Sequence, residues 1–169
     1  MNKFWKSDIL YYFIGSVISI GYCFFAFDLW DYDFNVPLSY WDGDVMFTLM
    51  TLQKMLDGFF VNVFQGAPFE AVFVDFPLYG DMLNLFALRI ILLLNGANLG
   101  NAINVYYFAL FPLTFCIAFF VMRKLEIQKV FAFSGALLYA FLPYRFLRST
   151  GHLFLSNYSF VPLNPPSFI

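Results

Sequence analysis

AINVYYFALFPLTFCIAFFVM, residues 102–122, runs without a single charge and ends against Arg123 and Lys124. At ~1.5 Å per residue a helix of that length matches the ~30 Å hydrocarbon core of a bilayer. The rest of the chain offers little polar surface to cover such a segment in water. Of 169 residues, 62% are hydrophobic and 12% charged, against roughly 45–50% and ~25% in soluble domains. The run therefore reads as a transmembrane helix, and the two cations that close it mark a cytoplasmic end.

Outward from that helix, the same pattern recurs twice. Residues 9–27 form an uncharged run between Asp8 and Asp28, preceded by Lys3 and Lys6, which predicts a span whose amino terminus is cytoplasmic. Bulky Tyr22, Phe24, Phe25 and Phe27 near its end do not suit a signal peptidase, so the span is expected to stay uncleaved. Residues 130–144, between Lys129 and Arg145, are short for a span but acceptable within a bundle. Residues 82–94 carry Arg89 at their middle; a helix there is only about 20 Å long, and a central Arg costs roughly 2.5–3.5 kcal/mol on insertion scales. A crossing at this point would also carry Arg123, Lys124 and Lys129 to the outer side, against the charge rule. The segment is therefore predicted to lie at the outer interface, apolar side down. The expected fold is an all-α integral membrane protein with three transmembrane helices and two outer juxtamembrane helices, residues 45–56 and 82–94. It forms one membrane domain with an outer loop at 28–101.

Several functional classes are excluded by composition. Disordered chains are poor in aromatics and rich in charge, whereas 24% of this chain is aromatic. A net charge of -2 gives no basic surface for nucleic acid. Cys23 and Cys116 both lie inside apolar runs, which suggests neither a disulfide framework nor a zinc cluster. Walker A, dinucleotide-binding glycine, serine-elbow and HExxH patterns are all absent from the sequence.

Two constellations remain as carriers of chemistry. Residues 28–81 hold nine acids against a single base, Lys54. Most of these acids need no role beyond solvation, but Asp42 and Asp44 flank Gly43 in Ser39-Tyr40-Trp41-Asp42-Gly43-Asp44. A glycine between two acids permits a tight turn in which the carboxylates converge. Such a pair can hold a hard divalent cation such as Mg or Mn, or one member can act as a base; Asp44 can equally cap the helix that follows. Trp41 and Tyr40 suit headgroup level. The second constellation is Pro143-Tyr144-Arg145-Phe146-Leu147-Arg148-Ser149-Thr150-Gly151-His152, with the only histidine of the chain. Arg145 and Arg148 are three apart, so on a helix they share a face and can grip one phosphate; alternatively they are interfacial anchors. Three crossings put His152 and Asp44 on the same outer side.

The order of these pieces resembles the GT-C class of membrane glycosyltransferases and the bacterial membrane proteins near that class. The resemblance rests on Pro37-Leu38-Ser39-Tyr40 leading to Gly43-Asp44, then Gly66-Ala67-Pro68-Phe69 and Asp75-Phe76-Pro77. Later come Phe141-Leu142-Pro143-Tyr144-Arg145-Phe146 and Gly151-His152-Leu153. It covers roughly residues 35–163. It implies a bacterial plasma-membrane protein that transfers a sugar from a polyprenyl-phosphate donor on the outer face. The position matching the family's base or metal ligand is Asp44, with Asp42 beside it. Arg145, Arg148 and His152 match the groups that hold the donor phosphate, and Asp75 either joins that pocket or turns the loop. Members of the class have many more spans, so the chain is expected to be a truncated amino-terminal portion, inactive alone. The alternative is a small non-enzymatic multi-pass protein, either a partner subunit or a transporter fragment.

Overall fold

A computed structural model describes residues 3–38, 43–62, 71–72, 82–96, 98–153 and 155–164. Among the described residues the fold is all-helical apart from one two-residue ladder. In chain order the elements are α1 (Lys3–Ala26), α2 (Gly43–Leu56), β1 (Val61–Asn62), β2 (Ala71–Val72), α3 (Met82–Leu94), α4 (Leu99–Lys124), α5 (Lys129–Ala140) and α6 (Pro143–Arg148). Three stretches are long and apolar enough to cross a membrane: Asp8–Ala26, Leu99–Lys124 and Lys129–Arg148. The third is longer than the run 130–144 because α6 continues it past Phe141 and Leu142. These three apolar helices are compatible with an integral membrane protein.

The chain divides into two compact units. The first comprises Met1–Tyr32, Phe108–Phe146 and Asn157–Ile169. Here α1 and α4 run antiparallel: Asp8 meets Arg123 at 3.0 Å, Ser16 meets Cys116 at 3.5 Å, and Phe27 meets Phe108 with ring centroids 5.4 Å apart. Helix α5 runs parallel to α1, with Asp8 at 2.9 Å from Lys129, Tyr11 against Phe133 and Tyr22 against Phe141. The amino ends of α1 and α5 and the carboxyl end of α4 thus meet at one end of the bundle. That arrangement is what three alternating crossings require. Asp8 bridges the cations of both neighbours, so this end is tied by charge as well as by packing.

Close approach is set by small residues. A Cβ at Gly15 would fall 1.9 Å from the ring of Phe115, so the glycine is the notch that admits that ring. On α5, Ala132, Ala136 and Ala140 recur every four residues, all fully buried with Phe115, Ala118 and Phe119 of α4. Between apolar helices, where lipid competes on equal terms, such small-residue seams give the packing its advantage.

The second unit comprises Asp33–Tyr107 and Leu147–Ser156. Its core includes Val45, Leu52, Met55 and Leu56 from α2, Leu85 and Leu88 from α3, and Ile103 with Tyr106 from the first turns of α4. The buried positions of α2 follow helical spacing, and those of α3 occupy one side. The two short helices expected at residues 45–56 and 82–94 are therefore present, α2 starting two residues earlier than its apolar run. Past α2, Val61 pairs with Val72 and Asn62 with Ala71 in an antiparallel ladder. β-Branched Val61 and Val72 favour that extended pairing, which no periodicity over two residues could reveal.

Candidate functional site

In the second unit the chain from Asp33 to Leu38, which precedes α2 in sequence, is held in place one backbone group at a time. Asp33 starts it: its Oδ1 accepts the Asn35 backbone N–H at 2.9 Å and the Asn35 side-chain amide at 3.0 Å. Asn104, fully buried on α4, then pins the next turn. Its Nδ2 donates to the carbonyls of Phe34 at 3.0 Å and Val36 at 2.7 Å, and its Oδ1 accepts the Leu38 N–H at 3.0 Å. Gly100 permits this approach, because a Cβ there would meet the Asn35 carbonyl oxygen at 2.2 Å. Helix α2 begins at Gly43, so the backbone of Asp44 lies in its first turn, where the helix dipole favours a carboxylate.

The segment after α6 reaches the same place from the far end of the sequence. Thr150 donates from Oγ1 to the Leu38 carbonyl at 2.6 Å. Leu38 stands four residues before Asp42 and six before Asp44, while Thr150 stands between Arg148 and His152. This segment is itself tightly wound. His152 N–H donates to the Arg148 carbonyl at 3.1 Å, and Ser156 Oγ donates to the Ser149 and His152 carbonyls at 2.8 and 3.3 Å. Thr150, Gly151, Leu153 and Ser156 are buried, and Arg148 and His152 are half-buried. The structure thus joins the 147–156 segment, with Arg148 and His152, to the chain at Leu38 within the second unit. Asp42, Asp75 and the stretches around Gly66-Ala67-Pro68-Phe69 and Asp75-Phe76-Pro77 lie outside the described residues, as does the side chain of Asp44. Among the described residues no three His, Cys, Asp or Glu side chains gather as a metal site.

Arg145 has a different environment. It belongs to the first unit and is 0% exposed. Its guanidinium donates to the carbonyls of Leu110 at 3.1 Å and Ala140 at 3.2 Å and to Thr114 Oγ1 at 2.5 Å. It lies over the rings of Phe111 at 4.7 Å and Tyr158 at 4.3 Å. The planar fork suits this task in a way no ammonium could, since it meets three acceptors while stacking on two faces. Thr114 Oγ1 also donates to Leu110 O at 2.6 Å. Its single proton is thereby used, and the 2.6 Å contact with Ser159 Oγ is one in which Ser159 donates. Tyr158 completes the cage by donating to the carbonyls of Tyr139 at 3.0 Å and Ala140 at 3.2 Å. Burial pushes the Tyr158 phenol above its usual value, which keeps it a neutral donor. Arg145 therefore neither snorkels to an interface nor opens toward a ligand: it ties α4, α5 and the 157–164 segment together.

Sequence reading assigned no hydrogen-bonding role to Asn104, Thr114, Thr150 or Ser159. A signal for the first existed, since a polar side chain within an apolar span is costly unless it has partners. The described residues form a helical chain with three candidate membrane spans. No family model, curated protein or solved structure matches the chain.

Proposed function

We propose that the chain is the amino-terminal portion of a GT-C-like membrane glycosyltransferase that uses a polyprenyl-phosphate sugar donor. Asp44 acts as the base toward the acceptor hydroxyl or, with Asp42, as ligand to a divalent cation. Arg148 and His152 hold the donor phosphate, and Asp75 belongs to the same outer loop. Arg145, the third cation of the family pattern, is a structural residue of the first unit and is not assigned to the donor phosphate. The protein would sit in a bacterial plasma membrane with its amino terminus cytoplasmic and this site on the outer face.

The single observation that supports the reading is the Thr150–Leu38 hydrogen bond. It ties the segment carrying Arg148 and His152 to the chain that leads into the acidic turn. Transfer of a glycosyl group needs that pairing of opposite chemistries: a carboxylate to remove a proton, and cations to stabilise the departing phosphate. The test is Asp44→Asn in the longest expressed form, with sugar transfer from a polyprenyl-phosphate donor measured in membranes. The expected loss is about 100-fold or more, the scale of a removed general base. Unchanged transfer overturns the assignment. A wild-type chain with no transfer that co-purifies with a partner membrane protein assigns it to the non-enzymatic class instead.

A further inference from the structure

Between α2 and α3, within the second unit, lies a cavity of about 130 Å³ lined by Met55, Leu56, Phe60, Leu85, Phe86 and Arg89. Five of the six lining residues are apolar. The sixth is a cation, exposed, that makes no hydrogen bond or ion pair among the described residues. Small-molecule sites usually measure ~300–1,000 Å³, so this cavity is too small for a sugar or nucleotide and suits a stretch of alkyl chain. Its setting points the same way. Phe86, Arg89, Ile90 and Leu93 fall at helical spacing on one exposed face of α3, and Phe86 is 63% and Leu93 75% exposed. On α2, Met46, Phe47 and Met50 are likewise exposed. An apolar face that water would penalise, interrupted by one cation, is the pattern of a helix bedded at the headgroup–acyl boundary.

We propose that the α2–α3 groove binds one anionic glycerophospholipid, its phosphate on Arg89 and part of one acyl chain among Met55, Leu56, Phe60, Leu85 and Phe86. Charge complementarity selects the occupant: a cation at the mouth of an apolar slot calls for an anion joined to a hydrocarbon tail. The guanidinium can meet phosphate oxygens with two parallel donors. This inference is independent of the transferase reading, because it uses none of Asp42, Asp44, Arg148 or His152.

The test is native mass spectrometry of the purified full chain, released from detergent after equilibration with equal amounts of phosphatidylglycerol and phosphatidylcholine. Wild type is expected to retain phosphatidylglycerol about tenfold more, the scale of one charge-assisted hydrogen-bonded contact. Arg89→Gln should retain the two lipids equally, and Arg89→Lys should keep an intermediate preference. Phe86→Glu, which sets an acid one turn from Arg89, gives a second variant and should also abolish the preference. Circular dichroism checks that each variant is folded; Arg89 and Phe86 are exposed, so neither change opens the core. Equal retention by wild type overturns the proposal, as does a preference that survives Arg89→Gln. Tighter retention of a prenyl phosphate than of phosphatidylglycerol, or a dimer that occludes the groove, also overturns it by naming another occupant.

Discussion

Asn104 and Arg145 are fully buried polar residues that each join three partners, and each carries a distinct prediction. Replacing Asn104 with Ala leaves the Phe34 and Val36 carbonyls and the Leu38 N–H without the partner they have now. Buried polar groups so orphaned cost about 1–3 kcal/mol each. The expected result is a loss of about 3 kcal/mol in stability measured in detergent. Arg145→Lys should be destabilising too, since an ammonium cannot meet Leu110, Ala140 and Thr114 while lying over Phe111 and Tyr158. An interfacial anchor would tolerate that exchange, so a melting temperature equal to wild type would refute the cage. Tyr158 gives a pH dependence of definite sign. Its phenol is raised above 10.0 by burial, so the folded state holds this proton more tightly than the unfolded chain does. Its contribution is complete below pH about 10 and is lost as pH rises through the folded value. Alkaline titration of the melting temperature should show a decline above that point, smaller in Tyr158→Phe, which starts lower for want of two hydrogen bonds.

Among the helices, the seams decide what substitution costs. Gly15 receives the ring of Phe115, so Gly15→Val must push α1 from α4 or drive that ring out of a fully buried position. Overpacking of this kind costs about 1–3 kcal/mol. The expected readout is a lower melting temperature, with Gly21→Val, where a Cβ would meet nothing within 4 Å, as the control that stays near wild type. Sequence reading located these helices well. The bounds of α3 coincide with the apolar run 82–94, because its flanking polar residues interrupt that run locally. It did not locate the seams, because glycine and alanine look alike in an apolar run whichever way they face.

The whole chain makes a topological statement that labelling can check. Asp8, Arg123 and Lys129 meet at one end of the first unit, so cysteines replacing Leu125 and Trp30, both exposed, should react from opposite sides of sealed vesicles. If α3 lies along the membrane instead of crossing it, cysteines at Asp57 and Asn95, on either side of that helix, should react from the same side. Labelling of those two from opposite sides would make α3 a fourth crossing and separate the acidic turn from His152. The candidate spans, their basic ends and the two short helices were legible from residue order. The contacts that join them were not: Asn104 reaches Phe34 across 70 positions, Thr150 reaches Leu38 across 112, and Arg145 reaches Thr114 across 31. A bilayer selects segments by length and polarity, which are properties of consecutive residues and survive in composition. A hydrogen bond selects its partner by distance and angle, and those exist only once helices α1, α4 and α5 have packed and the 33–38 and 147–156 segments have come together.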